Sequence, residues 1–360
     1  MSRGLYIHIP YCQRKCGYCD FVSYPGKEST MPEYVQAVIR EAEFYQGESV
    51  DTVFIGGGTP SHLPDGAIEQ LLDGVRKSIE IAPEAEISIE ANPNSFSGEK
   101  ALEYQRAGIN RLSFGLQAVQ DTLLASIGRL HTYADFLRAL DAACEAGFAN
   151  INADLMYSLP GQSVEQARQS AQAICALPIT HVSAYALKLE KGVPMYGMPQ
   201  PDEETDRAMF YAIKETLEGA GFARYEISNF AKEGYECRHN LKYWRVQEYI
   251  GLGVAAHSFY QGERFSNDDG LGRYLAALGR GKRAEISRLQ ADLPFERIML
   301  KTRLLEGMPA KELPESEGMR RSLAKLQKLG LCELGERLVL TEKGLDLQDG
   351  VVLELIENLV

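Results

Sequence analysis

Apolar residues alternate between two spacings along most of this chain. Short, largely β-branched runs at Leu5 to Ile9, Thr52 to Ile55, Ile87 to Glu90, Arg111 to Phe114, Ile151 to Leu155 and Val182 to Leu187 predict strands. Between them, Pro32 to Tyr45, Ala67 to Ile79, Glu99 to Ala107, Tyr133 to Ala146 and Val164 to Ala176 set apolar residues three and four apart, the spacing of an amphipathic helix. Six strand–helix units in succession predict an α/β fold with a parallel sheet and right-handed crossovers. Such a sheet curls toward a TIM-like barrel, and six strands leave it open on one side, a partial (β/α)6 barrel.

The rhythm changes after about residue 285. Glu296 to Leu305 and Met319 to Leu329 read as amphipathic helices, Leu331 to Leu334 and Leu338 to Thr341 as a hairpin around Gly335, and Glu342 to Leu347 follows. Two helices and a two-stranded wing predict a small C-terminal winged-helix-like domain over 286–360, after a barrel domain over 1–285. The Gly- and Arg-containing stretch Gly279 to Arg283 is the expected linker.

Composition narrows the function classes. The chain has 360 residues, 45% hydrophobic and 24% charged, enough for one large core and a small second one. A formal net charge of -12 argues against a nucleic-acid partner, and the winged-helix-like segment has no strongly basic face, which leaves a lid or partner-docking role. The opening MSRGLYIHIP leads straight into cysteines, so no secretory leader is expected, and no apolar run reaches the length of a membrane span. These features predict a cytoplasmic protein.

Candidate chemistry begins at Cys12, Cys16 and Cys19, directly after the first predicted strand. Seven cysteines are an odd count for disulfides, and CxxxCxxC is a metal-cluster spacing. Three thiolates can hold three irons of a cubane and leave the fourth open. Zinc lacking its fourth protein ligand is the alternative. Cys144, Cys175, Cys237 and Cys332 are scattered and read as small buried hydrophobes. Gly56-Gly57-Gly58-Thr59-Pro60 follows the second strand, a turn that lets backbone approach a ligand. Glu90, Gln117 and Asp154 also fall at or near strand carboxyl ends, the face where parallel β/α folds gather function.

The segments YIHIPYCQRKCGYCDF, IGGGTP, SIEANP, RLSFGLQ, IGRLH and INADLMYSLPGQ resemble the radical S-adenosylmethionine (SAM) family. Within it they resemble the branch that holds the oxygen-independent coproporphyrinogen III oxidases and the HemW haem chaperones. The resemblance spans nearly the whole chain, with the motifs in order. It implies that Cys12, Cys16 and Cys19 bind a [4Fe–4S] cluster whose open iron is chelated by the amino and carboxylate groups of SAM. It implies that Tyr6 and Tyr18 line the cofactor pocket and that Gly57, Gly58 and Thr59 hold the aminocarboxylate. Glu90, Gln117, Arg129 and Asp154 would contact SAM by hydrogen bonds and charge. A reduced cluster, fed by an electron donor, would cleave SAM to methionine and a 5′-deoxyadenosyl radical.

Two departures separate the chain from the oxidases in that branch. They carry a further cysteine two residues beyond the third, where this chain has Phe21, and a longer segment ahead of Cys12. His239-Asn240-Leu241-Lys242-Tyr243-Trp244 resembles the HNxxYW haem signature of the chaperones, which implies haem contact by His239, Asn240, Tyr243 and Trp244. Imidazole can ligate haem iron, and Tyr and Trp offer flat faces to a macrocycle. His257 is a further candidate contact; His8 reads as structural. The expected function is a haem chaperone that passes haem to acceptor haemoproteins such as respiratory-chain enzymes, with peripheral membrane contact where those acceptors are membrane-bound. The alternatives are a coproporphyrinogen III oxidase and a radical haem methyltransferase.

Overall fold

The computed structural model describes residues 3–357. Its first half carries out the expected alternation: β1 (Arg3–Ile9), α1 (Met31–Ala42), β2 (Ser49–Gly57), α2 (Ala67–Val75), β3 (Glu80–Ala91), α3 (Gly98–Arg106), β4 (Arg111–Gln117), the short α4 (Asp121–Ser126), α5 (Tyr133–Glu145), β5 (Ile151–Tyr157), α6 (Val164–Cys175) and β6 (His181–Ala186). In β1, Leu5, Ile7 and Ile9 are fully buried against the helical layer, among them Tyr34, Val35 and Val38 of α1. Each such side chain contributes about 1.5–3 kcal/mol on burial. Gly4, Tyr6 and His8 alternate onto the inner face, because strand side chains have a period of two. Helix starts are fixed locally: Thr132 and Asp135 form a reciprocal capping box at α5, and Ser163 and Gln166 do so at α6.

The sheet is wider than six strands. After α7 (Glu203–Gly219) come β7 (Ala223–Arg224), β8 (Asn229–Ala231), α8 (Arg238–Trp244), β9 (Tyr249–Leu252), β10 (His257–Tyr260), β11 (Glu263–Asn267), α9 (Leu271–Gly279) and β12 (Glu285–Gln290). The order is β12-β11-β10-β9-β1-β2-β3-β4-β5-β6-β8-β7. β9 lies parallel beside β1, with Leu5 opposite Ile250, so seven consecutive neighbours, β9 and β1 to β6, are parallel. Antiparallel strands extend both edges.

The residues expected to form a linker end α9 and turn into β12, which pairs with β11 in the large sheet. A second core starts at Ile298. It joins α10 (Leu293–Lys301), β13 (Met308–Pro309), α11 (Glu317–Lys328), β14 (Cys332–Leu334), β15 (Arg337–Leu340), α12 (Glu342–Asp346) and α13 (Gln348–Ile356) around Met319, Leu323, Leu338 and Val351. The expected hairpin is β14–β15, with β13 added on its far side. This unit is pinned to α7 by Lys214–Glu342 (2.6 Å) and Arg207–Asp346 (2.7 Å).

Candidate functional site

The loop that leaves β1 carries Cys12, Cys16 and Cys19, all half-buried. The Cys19 amide donates to the Cys16 carbonyl (3.2 Å), and the Thr59 hydroxyl donates toward Cys12 Sγ (3.4 Å). Burial pushes the Cys12 and Cys19 thiols up, and the neighbouring Cys16 adds to both. Among the described residues no three His, Cys, Asp or Glu side chains converge as a single metal ion requires. A cubane corner asks for something different, one thiolate on each of three irons, and this loop fits that demand better than it fits zinc.

The glycine turn is needed first by the protein itself. The Gly58 amide donates to the Ile9 carbonyl (2.8 Å) and the Thr59 amide to the Tyr11 carbonyl (2.7 Å), zipping the turn onto the cysteine loop. A Cβ on Gly57, whose φ is +113°, would sit 2.5 Å from the His8 ring, and one on Gly58 would sit 2.8 Å from the Tyr11 carbonyl oxygen. The sequence suggested room for a ligand; the structure adds close contact between two chain segments. His8 is held by Tyr6 (2.9 Å to Nδ1) and by the Val22 carbonyl (2.9 Å to Nε2), which ties β1 to the cysteine loop.

Four predicted polar residues gather at the same end. Arg129 donates to Asn92 Oδ1 (2.5 Å) and the Gly115 carbonyl (2.6 Å), with a second nitrogen 3.9 Å from Cys16 Sγ. Its Nε is buried with no partner, a donor free for an anionic group, and Tyr18 lies beside it. Gln117 sits at φ +73°, a costly conformation for a non-glycine residue, where β4 slips register against β5. Glu90 accepts the Gly57 amide (3.0 Å) and Asp154 accepts Asn152 Nδ2 (2.8 Å). Burial, then the charge of Asp154, pushes Glu90 up to about 8, and burial raises Asp154 as well. Two acids held in this way favour a cationic ligand, which would return both to the ionised form. Thiols, a free guanidinium donor and paired acids together suit a cluster and a zwitterionic sulfonium. Asn92, which the sequence places with Glu90 at the end of the third strand but gives no role, accepts from Arg129 and donates to Thr59 (3.1 Å).

The HNxxYW residues lie at the other end of the strands. His239 is fully buried, and its Cε1 is 3.1 Å from the Cβ position of Gly4, near the start of β1. Nδ1 is bonded to the Thr52 hydroxyl (2.9 Å) and Nε2 to the Tyr243 hydroxyl (2.8 Å). Burial pushes the ring down to about 3, so it is neutral. Glu86 accepts the amides of Arg238 (2.9 Å) and His239 (3.0 Å) and so caps α8 from inside the barrel. Asn240 is half-buried on the same helix. Outside, Tyr243, Trp244, Tyr249, Arg264, Met299 and Leu300 line a cleft of about 330 Å³, and Arg303 stacks over Trp244 at 4.4 Å. From Gly4 to Pro10 the chain advances six residues, roughly 20 Å at strand rise, so this group and the cysteine loop stand at opposite ends. His257 is exposed at the start of β10.

Seven parallel strands with three thiols and paired acids at their carboxyl ends define a radical SAM protein. Residues 6–174 match the Radical SAM superfamily. The fold superposes on Escherichia coli coproporphyrinogen III oxidase (HemN), described as a radical SAM enzyme, with a TM-score of 0.88 over 98% of this chain and 90% of that one; at 21% identity this is a likeness of fold. The sequence is 39% identical over 328 residues to the haem chaperone HemW of Escherichia coli, covering 88% of this chain and 86% of that one. It is 36% identical over 370 residues to HemW of Mycobacterium tuberculosis, covering 98% and 94%. The chain belongs to the HemW haem chaperone family.

Proposed function

We propose that the protein binds haem at its His239–Trp244 end and passes it to acceptor haemoproteins, such as those of the respiratory chain, while the opposite end holds a [4Fe–4S] cluster and SAM. Cys12, Cys16 and Cys19 hold the cluster. The Thr59 turn and Arg129 bind the carboxylate end of the cofactor, Glu90 and Asp154 balance its positive charge, and Tyr6, Tyr18 and Gln117 line its pocket. Bound and reduced, the cluster supplies one electron for cleavage of a carbon–sulfur bond of the sulfonium.

What supports this reading is that His239 lies against Gly4 and Thr52 near the amino-terminal ends of β1 and β2, while the cysteine loop leaves the carboxyl end of β1. Hydrogen abstraction or methyl transfer needs reacting atoms in contact. The cleft beside Trp244 shares no lining residue with the cysteine loop, which favours carrying over transforming. The aromatic cleft beside Trp244 offers a flat apolar support for the macrocycle; Arg264 at its rim is held by Glu296 (2.7 Å). Ligation by His239 requires α8 to tilt outward and release Tyr243, because both ring nitrogens are engaged in the closed form. Membrane-bound acceptors would be met at the surface, since no helix among the described residues is long and apolar enough to cross a membrane.

The test is incubation of the anaerobically reconstituted protein with haem and, separately, with coproporphyrinogen III and a reductant. Haem that stays with the wild-type chain and is lost in His239→Ala supports the proposal. Protoporphyrinogen, or a methylated tetrapyrrole, would overturn it.

A further inference from the structure

A cavity of about 800 Å³ opens between α7 and the C-terminal unit, beside the carboxyl ends of β5 and β6. It shares no lining residue with the pocket at Arg129 or with the cleft beside Trp244. Arg224 of β7 lines it and is 8% exposed. Its guanidinium lies over the Phe210 ring (4.8 Å) and donates to the Ile227 carbonyl through Nη2 (2.8 Å) and Nε (3.1 Å). Among the described residues it pairs with no carboxylate, and Nη1 has no partner. Burial pushes Arg224 down, whereas the carboxylate-paired Arg3, Arg264 and Arg288 are pushed up. A buried cation without a counter-charge favours an anionic ligand. Two acids of the cavity are already engaged, Asp346 by Arg207 (2.7 Å) and Tyr211 (2.8 Å), and Asp206 by the Ser158 hydroxyl. Tyr157 and Ser228 bring hydroxyls to the same space.

The rest of the lining sets the kind of anion. Leu187, Ile227, Leu345 and Leu347 give an apolar wall, and Glu203 and Glu204, exposed at the start of α7, have no cationic partner among the described residues. From Glu203 to Phe210 the helix rises about 10 Å, the reach of about three extended residues. A free amino acid holds its ammonium one carbon from its carboxylate, too close to serve both Arg224 and Glu203. A carboxylate, an apolar side chain beside it and a positive charge about three residues back describe the end of a polypeptide. We propose that this cavity docks the carboxyl terminus of a partner protein, with the terminal carboxylate on Arg224, an apolar last side chain on Ile227 and Leu345, and Lys or Arg upstream facing Glu203 and Glu204. Arg224 belongs to the large sheet and Leu345 to the second core, so a docked tail joins the two across their seam. The inference rests on neither the cluster nor the haem reading.

The probes are four hexapeptides, Ser-Lys-Arg-Ser-Ala followed by Leu, Ile, Val or Phe, each as free acid and as carboxamide, titrated calorimetrically into the whole chain. At least one free acid is expected to bind with a Kd below about 100 μM at low salt, and its carboxamide at least about tenfold more weakly. Arg224→Gln should bind the two forms alike. Because Arg224 is buried, the surface variant Glu203→Lys/Glu204→Lys is measured beside it. That variant should melt as the wild type does, bind the free acid about fivefold or more weakly at low salt, and lose the salt dependence of the wild type. Equal binding of acid and carboxamide by the wild type, or wild-type affinity in the Glu203→Lys/Glu204→Lys variant, would overturn the proposal. So would displacement of the peptide by an equal concentration of free leucine, or no binding of any probe at about 1 mM.

Discussion

Two buried titratable side chains, Glu90 and His239, are shifted by the same cause in opposite directions. Burial favours the neutral form of each, raising the carboxyl to about 8 and lowering the imidazole to about 3. For Glu90 the unfolded chain ionises near the ordinary value of 4.5 while the folded one retains its proton. Its contribution to stability is therefore full below that value and is lost as pH rises toward about 8. Glu90→Gln should remove this fall, measured by denaturant unfolding of the ligand-free protein across pH 5 to 9, taken as about the accessible window. For His239 the unfolded ring takes a proton below the ordinary 6.5 and the folded ring does not until about 3, so stability is present above neutrality and declines as pH falls between those values. His239→Ala leaves the Thr52 and Tyr243 hydroxyls without their partner and opens a void, and should cost about 2–4 kcal/mol in unfolding free energy at neutral pH.

α8 depends on a residue far from it in sequence. Cys237, at its N-cap, provides no side-chain cap, and Glu86 of β3 accepts the first amides instead. Glu86→Ala should lower stability by about 1–3 kcal/mol and raise hydrogen exchange across Arg238–Trp244, with the amides of β4 and β5 unchanged. If haem uptake tilts α8, the same variant should take up haem faster than wild type, read from the rise of Soret absorbance. Such a cap joins residues 152 and 153 positions apart in the chain and leaves no mark in local periodicity. The six central strands were legible because their short runs are largely β-branched and the helices between them set apolar residues three and four apart. β9 was not: YIGL has four residues and a glycine, and only pairing with β1 and β10 makes it a strand. The β10–β11 hairpin turns at Gln261 and Gly262, both at positive φ, where the sequence shows no Asn-Gly or Asp-Gly signal. α13 escaped because VVLELI is apolar without a clear 3.6 period.

On the scale of the whole molecule, the strands act as a spacer with a different chemistry at each end. The cysteines, Glu90, Gln117 and Asp154 were legible as one group because parallel β/α folds place loops after successive strands on a common face, whereas Arg129, which follows α4, came only from the family resemblance. The position of His239 was not, since α8 returns to the amino-terminal ends of β1 and β2 from beyond the sixth strand, a path fixed by tertiary packing. This arrangement makes the two ends separable. The most direct measurement is a haem titration, followed at the Soret band, of the wild type, the triple variant Cys12→Ala/Cys16→Ala/Cys19→Ala and Trp244→Ala. The triple variant is expected to bind haem with the wild-type stoichiometry and an affinity within about threefold, while Trp244→Ala loses at least about tenfold. Loss of haem from the cysteine variant with retention by Trp244→Ala would contradict the separation of cargo from cluster on which the proposed function stands.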